Sequence, residues 1–427
     1  MNKTNLSSIA KFTGGSGFPE IYQGKTSGDY PFIKVSDMNL PANKKYITEA
    51  NNYVDTEIVN RLNLQIFKKG TTVFAKVGAA ILLNRCRKLV KNTILDNNMM
   101  GATPTCSDEN YLFYVLSSFD FGKLVQTGAL PSINQTLFDR LECIDYPLPE
   151  QRKIAHILST FDAVIEKSEA AIAKYKAIKS GMMRDLFTRG IDLKTGKLRP
   201  SYEDAPELYK RSELGWVPKE WKVVRINQVS TLVTNGFVGV ATPYYESSDN
   251  GITYLYGTNI RKDEITFDDI RYVSRQFHNK QVKSQLKTGD MLTVQSGHIG
   301  TSAIVPEKLG DANCHALIIT RFVLSEIFPW FISYYLNSDI GMHGLEKLFI
   351  GSTIKHINTS ELAKHLILKP DIEEQKEISK RIDVIELLLR NELEHFRKIQ
   401  NLKSALMSDL LTGKVRVQFK EEKVEAQ

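Results

Sequence analysis

The residues of this chain whose types suit catalysis or ligand binding do not assemble into a known catalytic motif. Residues 190–198 (GIDLKTGKL) resemble a phosphate-binding loop, but five residues separate the two glycines where four are needed, and Leu198 stands where a hydroxyl must reach magnesium. The chain has no Cys-x-x-Cys or His-x-x-x-His pair, and Cys314 with His315 cannot form a metal site alone. His298 fits either a lone general base or a loop residue that makes a polar contact. We predict no catalytic residue and no metal site.

Basic side chains gather in two stretches, residues 68–91 and 271–287. Such clusters neutralise phosphates and position a DNA duplex, although a solvated protein surface has the same composition. Residues that follow a strand and precede a glycine turn can also offer hydrogen bonds to base edges. The candidate DNA-binding residues are Lys68, Lys69, Lys76, Arg85, Arg87, Lys88, Lys91, Arg271, Arg275, Lys280, Lys283, Gln295, His298 and Lys355.

The elements that position these residues occur twice, because the chain contains an internal repeat. Residues 133–188 align without a gap with residues 357–412, at a constant offset of 224. Upstream the match is looser: residues 32–38 resemble 254–260, and residues 69–78 resemble 288–297. These upstream segments are rich in β-branched and aromatic residues and end at glycine, which predicts strands followed by turns. Each half is therefore predicted to be a mixed α/β module followed by a long helix.

Each predicted helix of about 40 residues carries an apolar seam with steps of three and four, the pattern of a coiled coil. Mutual pairing of the two helices is favoured, and the alternative is that each packs only on its own module. Gly190 and Gly413 are predicted to end the helices. Asn134 and Asn358 are predicted to cap shorter helices, the latter in a capping box with Glu361, and contact with DNA bases is the alternative for both. The predicted seam residues are Leu158, Phe161, Ile165, Ile172, Tyr175, Met182, Leu186, Ile382, Ile385, Leu389, Phe396, Ile399, Leu406 and Leu410.

Length and composition fit this organisation. A chain of 427 residues is long enough for two or three domains, and 42% hydrophobic with 25% charged residues excludes a mainly disordered chain. No segment approaches the 20 or so apolar residues of a membrane helix, and few, widely spaced cysteines indicate a reducing compartment, so we expect a cytoplasmic protein. The predicted divisions are a first module at 1–148, a first helix at 149–190, a linker at 191–214, a second module at 215–371, a second helix at 372–412 and a C-terminal tail at 413–427.

Four motifs, in this order, resemble those of the specificity subunits of type I restriction–modification systems. LPEQRKI at 148–154 resembles the opening of the family's first conserved helix, and MRDLFTRGI at 183–191 resembles its end. GWVPKEW at 215–221 resembles the entry to a second target recognition domain, and MSDLLTGKV at 407–415 resembles the end of the second helix. The first module lacks a Gly-Trp-x-Pro-x-x-Trp entry, and a start codon placed too far downstream is one explanation of this departure from the family pattern.

The resemblance implies an α+β fold in which two target recognition domains alternate with two long helices that pair as an antiparallel coiled coil with pseudo-two-fold symmetry. It implies that each recognition domain reads one half of a bipartite DNA site. It also implies that the helices set the spacing between the two half-sites and dock methyltransferase subunits, and because the helix is repeated we expect two of these subunits. Restriction subunits join that core. S-adenosylmethionine, ATP and magnesium are then expected on the partners and not on this chain, which is not itself an enzyme. The alternative is a coiled-coil scaffold whose modules bind proteins.

Overall fold

A computed structural model describes residues 2–125, 131–349 and 355–418 of the chain. The chain divides into two compact units: unit 1 comprises residues 1–169 and 394–427, and unit 2 comprises residues 170–393. Each unit thus contains one module together with parts of both long helices. Residues 419–427 of the predicted C-terminal tail lie outside the described residues.

The module of unit 1 is built from two sheets. One has the strand order β2-β10-β7-β8-β4 and the other β5-β3-β9-β6, and β1 pairs with β11 beside them. Its strands are β1 (Lys3–Asn5), β2 (Ala10–Gly14), β3 (Tyr30–Ile33), β4 (Tyr46–Ile47), β5 (Asn52–Val54), β6 (Ile66–Phe67), β7 (Thr72–Ala75), β8 (Cys86–Leu89), β9 (Thr93–Leu95), β10 (Met99–Pro104) and β11 (Glu142–Ile144). Its helices are α1 (Leu6–Ile9), α2 (Thr56–Arg61), α3 (Glu109–Ser118) and α4 (Gln135–Phe138), and the long helix α5 (Leu148–Thr188) follows.

The module of unit 2 contains a four-stranded sheet, β17-β25-β22-β23, a three-stranded sheet, β21-β18-β24, and short strand pairs. Its strands are β12 (Ile191–Asp192), β13 (Lys197–Leu198), β14 (Tyr209–Ser212), β15 (Gly215–Pro218), β16 (Lys222–Arg225), β17 (Ser230–Asn235), β18 (Ile252–Leu255), β19 (Ile260–Arg261), β20 (Glu264–Ile265), β21 (Arg271–Val273), β22 (Met291–Val294), β23 (Ser302–Ile304), β24 (Ala312–Cys314), β25 (Leu317–Phe322) and β26 (Leu366–Lys369). Its helices are α6 (Arg275–Lys280), α7 (Pro329–Asn337), α8 (Asp339–Glu346) and α9 (Thr359–Lys364), and the long helix α10 (Ile372–Leu411) follows.

The two modules share one topology. In the larger sheets, β2-β10-β7-β8 corresponds to β17-β25-β22-β23, and every neighbouring pair is antiparallel in both. In the smaller sheets, β3 pairs antiparallel with β5 and parallel with β9, as β18 does with β21 and β24. The loose upstream repeat of the sequence therefore corresponds to the same arrangement of strands.

The two long helices pack against each other in opposite directions. In unit 1, Leu158 near the start of α5 shares a core with Leu410 near the end of α10. In unit 2, Leu186 near the end of α5 shares a core with Ile382 near the start of α10. None of the apolar residues of the predicted seam, all of which the structure describes, is exposed. Both helices also pack on the modules, so the two alternatives drawn from the sequence coexist.

Local signals at the helix ends had mixed outcomes. Gly190 and Gly413 follow the long helices with φ of 65° and 79°, a conformation that favours glycine. The Asn134 side chain caps α4 by accepting from the Leu137 amide at 3.0 Å. The capping box predicted at Asn358 is wrong: its side chain makes no capping bond, and Glu361 lies 4.0 Å from Lys364 instead of turning back.

Residues 191–214, predicted as a linker, are structured. They contain β12, β13 and β14, and Ile191 is fully buried in the main core of unit 2. Strand β14 pairs with β15, so the boundary that the sequence suggested at residue 215 passes through a two-stranded sheet. Two- to four-residue strands are too short for periodicity to reveal, which explains the error.

Candidate nucleic-acid interface

Two equivalent loops occupy the same place in the two modules: residues 76–85 join β7 to β8, and residues 295–301 join β22 to β23. The first residue of each loop accepts a backbone hydrogen bond, Lys76 from Ile133 at 2.9 Å and Gln295 from Ile357 at 3.1 Å. Each loop then turns at a glycine with φ near 85°. The supporting hairpin and the anchoring segment are equivalent, while the loops themselves differ in length and in the side chains that they present.

The loop of unit 2 is polar. Gln295 donates to the Asn235 side chain at 3.0 Å, which holds its amide in place, while the exposed His298 contacts the Ile260 carbonyl through Nε2 at 3.0 Å. Described residues of the loop include no carboxylate that would orient His298 as a base. Its environment is that of a polar surface contact, the second of the two interpretations drawn from the sequence.

The basic stretch of unit 1 does not form one surface, because a hairpin separates its members. Lys76 and Arg85 lie at the loop end of β7 and β8, whereas Lys68, Lys69 and Lys91 lie at the other end. The strands between them are four residues long, about 13 Å at 3.3 Å per residue. Lys68, Lys69 and Lys91 are exposed, as phosphate contacts require.

Two of the proposed DNA contacts in unit 1 are instead engaged inside the protein. Lys88 is only 7% exposed and donates to Glu109 at 2.9 Å and to Asn110 at 2.5 Å. Arg87 is half-buried, donates to the Cys86 carbonyl at 2.8 Å, and has a pKa lowered by burial. Successive side chains of β8 point to opposite faces of the sheet, and Lys88 is on the face that packs against α3. The number of basic residues in a segment does not reveal this direction.

The basic residues of unit 2 are on its surface, although two have partners there. Arg271 lies over the Tyr245 ring at 5.2 Å, and Arg275 pairs with Asp311 at 3.3 Å. Lys280, Lys283 and Lys355 are exposed. Arg275 and Lys280 begin and end α6, so this helix presents cations at both ends.

A partly buried carboxylate network links the module of unit 1 to both long helices, and sequence reasoning missed it. Asp162 of α5 accepts from Lys45 at 2.5 Å, from Tyr114 at 2.6 Å and from Lys403 of α10 at 2.5 Å. In unit 2, Lys179 of α5 pairs with Glu386 of α10. An offset of 224 converts Asp162 to Glu386 and Lys179 to Lys403, so the repeat itself contained the signal.

The first turn of each long helix contains a buried glutamate with an arginine partner. Glu150 is fully buried and accepts from Arg416 at 2.6 Å. Glu374, at offset 224, is 3% exposed and accepts from Arg199 at 3.1 Å and from the Trp221 indole at 3.0 Å. Each arginine comes from the segment that follows the other long helix. These contacts attach both ends of the helix pair to the segments beside them.

The described residues contain no cluster of three or more His, Cys, Asp or Glu that would hold a metal ion. None of the described helices is long and apolar enough to cross a membrane.

Comparison with known proteins identifies the family. The model of the type I restriction modification DNA specificity domain matches residues 1–174 and again residues 218–404. The MjaVIII specificity subunit of a type I restriction enzyme from Methanocaldococcus jannaschii is 28% identical over 400 residues, covering 91% of this chain and 87% of the relative. The putative MjaX specificity subunit of the same organism is 30% identical over 314 residues, with coverages of 72% and 68%.

The fold agrees with these matches. The crystal structure of the S subunit of a type I restriction–modification system from M. genitalium superposes with a TM-score of 0.57 over 96% of both chains, at 13% identity. Both modules match one family model, and two long helices alternate with them. The chain belongs to the family of type I restriction–modification specificity subunits.

Proposed function

We propose that this protein recognises a bipartite DNA site, each module reading one half, and that the paired helices set the spacing. The observation that carries the proposal is that two modules of one topology hold different loops, residues 76–85 and 295–301, on the same hairpin. One loop is apolar and basic and the other is polar. Equivalent hairpins that carry different loops are the arrangement expected of a protein that recognises two different DNA sequences.

The helices also offer repeated surface for partner proteins. Four exposed apolar residues of α5 and α10 form two pairs at the offset of 224: Val164 with Leu388, and Ile178 with Leu402. Exposed apolar residues at equivalent positions suit two copies of one partner. We infer that two methyltransferase subunits dock there and that restriction subunits join the complex.

Catalysis belongs to those partners in this proposal. The methyltransferase subunits bind S-adenosylmethionine, and the restriction subunits use ATP and magnesium. This chain supplies recognition and spacing, and works in the cytoplasm, where the genome is methylated.

The decisive experiment is methylome sequencing of a host that carries the complete system, with and without this gene. We expect a two-part methylated sequence that disappears with the gene. Replacing residues 1–148 with the corresponding module of a relative should then change one half-site and leave the other intact. A change in both half-sites, or methylation that persists without the gene, would contradict the proposal.

A further inference from the structure

The loop of unit 1 displays two adjacent leucines. Leu82 and Leu83 are 52% and 54% exposed, while Ile81 beside them is 1% exposed in the core. They belong to a 3-10 helix, Ala79–Leu83, within a loop three residues longer than its counterpart in unit 2. The counterpart has Ser296, Gly297 and His298 exposed instead. The apolar surface formed by Leu82 and Leu83 is therefore present in the module of unit 1 and has no counterpart in the equivalent loop of unit 2.

The leucines are held in a defined position. Gly78 donates to the Pro131 carbonyl at 2.8 Å where the loop begins. Asn84, in the left-handed conformation at φ 49°, accepts from the Phe121 amide at 2.7 Å where the loop ends. Hydrogen bonds therefore hold the loop at Gly78 and Asn84, and the buried side chain of Ile81 holds it between them. A contact made by Leu82 and Leu83 therefore costs little conformational entropy.

Three basic residues belong to or adjoin the loop that carries this apolar surface, and the guanidinium of one of them, Arg85, donates to the Asn39 side chain. Lys76 and Arg85 begin and end the loop, and Leu82 packs beside Gly122, whose neighbour Lys123 has an 83% exposed side chain. The nearby carboxylate, Asp120, is engaged by the Gly122 amide at 3.0 Å and lies 3.8 Å from Lys123. An exposed apolar surface with basic residues beside it is complementary to a groove in which phosphates flank the bases.

We propose that Leu82 and Leu83 are specificity-determining residues that contact thymine 5-methyl groups in the half-site read by the first module. This inference rests on the proposed function. Thymine carries the methyl group that apolar side chains recognise in the major groove. Leu82 and Leu83 keep about half of their surface against the protein, which suits contact with a methyl group at a base edge.

The test uses the complete methyltransferase complex and a DNA duplex containing its own site. Replacing thymine with deoxyuridine in the first half-site removes only the methyl group, and should weaken binding about fourfold for each contacted thymine. The double variant Leu82→Ala/Leu83→Ala should bind the native site on the order of tenfold more weakly and lose its sensitivity to deoxyuridine. Uracil in the second half-site should affect both proteins equally.

Leu324→Ala is the matched control, since Leu324 is a 64% exposed leucine of unit 2, and it should retain wild-type sensitivity. An unchanged thermal unfolding midpoint would show that the double variant is folded. A first half-site without thymine, or equal sensitivity of wild type and double variant to uracil there, would overturn the inference and leave the proposed function standing. A wild-type complex that cannot distinguish its site from random DNA would remove both.

Discussion

Lys403 of α10 contacts Asp162 of α5 at 2.5 Å in unit 1, and Lys179 of α5 contacts Glu386 of α10 in unit 2. The acid and the base exchange helices between the two units, because Glu386 and Lys403 lie 224 residues after Asp162 and Lys179. Two antiparallel helices that carry the same sequence form each contact twice in this way, with the two partners on exchanged helices. The ion pairs therefore specify one register for the helix pair.

The pair in unit 2 can be tested by a double-mutant cycle. Lys179 and Glu386 are both about one-fifth exposed, so we expect a coupling free energy of about 1–2 kcal/mol between Lys179→Ala and Glu386→Ala. The exposed pair Glu394 and Lys398 on one helix is the control, with a coupling of about 0.5 kcal/mol or less. Equal couplings, measured by thermal unfolding, would show that the inter-helix pair has no special role in register.

The buried glutamate of α10 should be sensitive to neutralisation. Glu374→Gln removes the charge that Arg199 and the Trp221 indole contact, leaving Arg199 only 11% exposed and without its principal partner. We expect a loss of about 3 kcal/mol in the free energy of unfolding. Glu373→Gln, at an exposed position next to it, should cost about 0.5 kcal/mol or less. A similar small loss for both variants would argue against this anchoring role.

Exposed and buried lysines of unit 1 should behave differently. Lys68→Ala and Lys69→Ala should each remove one phosphate contact and so reduce the slope of the logarithm of the DNA-binding constant against the logarithm of salt concentration by about one. Neither variant should change the stability of the protein much. Lys88→Ala should instead lower the thermal unfolding midpoint, because it leaves Glu109 without its partner. Binding measured between about 50 and 200 mM salt, beside thermal unfolding, separates the two effects. An unchanged salt slope for the first two variants would assign Lys68 and Lys69 to a solvated surface.

Asp263 should give unit 2 a pH-dependent stability. Burial raises the pKa of this carboxyl to about 6, although Asn337 and Ser333 donate to its Oδ1, while its Oδ2 has no partner. An unfolded aspartate ionises near pH 3.9, so the folded state is destabilised as pH rises from about 4 to 6, by up to about 3 kcal/mol.

Asp263→Asn removes this ionisation and retains the oxygen that accepts both hydrogen bonds. Asparagine also tolerates the positive φ of 62° at this position. The variant should exceed wild type in thermal unfolding midpoint at pH 8, and the gain should shrink towards pH 4. Asp268→Asn, at an exposed position nearby, should show no such trend. A gain that does not vary with pH would mean that Asp263 is not the titrating group.

The length of the helix pair should control the spacing of the DNA site. Inserting one heptad after Ile172 and another after Phe396 preserves the apolar seam and adds about 10.5 Å to each helix. At about 3.4 Å per base pair, the methylome should show the same half-sites about three pairs further apart. Three pairs also rotate one half-site by about 100°, so weaker binding is expected. The same half-sites at the original spacing would show that the helices only dock partners.

The sequence alone determined the features that depend on repetition and periodicity. A gap-free repeat of 56 residues with one apolar seam predicts two matching helices, because helical period and length are local properties. The same repeat predicted two related modules, and their common strand order agrees with it. Motif order along the chain was sufficient to indicate the family.

The tertiary structure decided which side chains are available for binding. Lys88 and Lys68 are alike in the sequence, yet one contacts Glu109 inside the module and the other is exposed, because hairpin geometry and the packing of α3 set their directions. The repeat relates Asp162 to Glu386, but it does not reveal the three partners of Asp162, which come from residues 45, 114 and 403, far apart in the chain. In the sequence, Leu82 and Leu83 are indistinguishable from core residues. In the structure Ile81 is the residue of this loop that enters the core, and the two leucines after it are left at the surface. Burial and long-range pairing depend on the whole fold, and periodicity does not encode them.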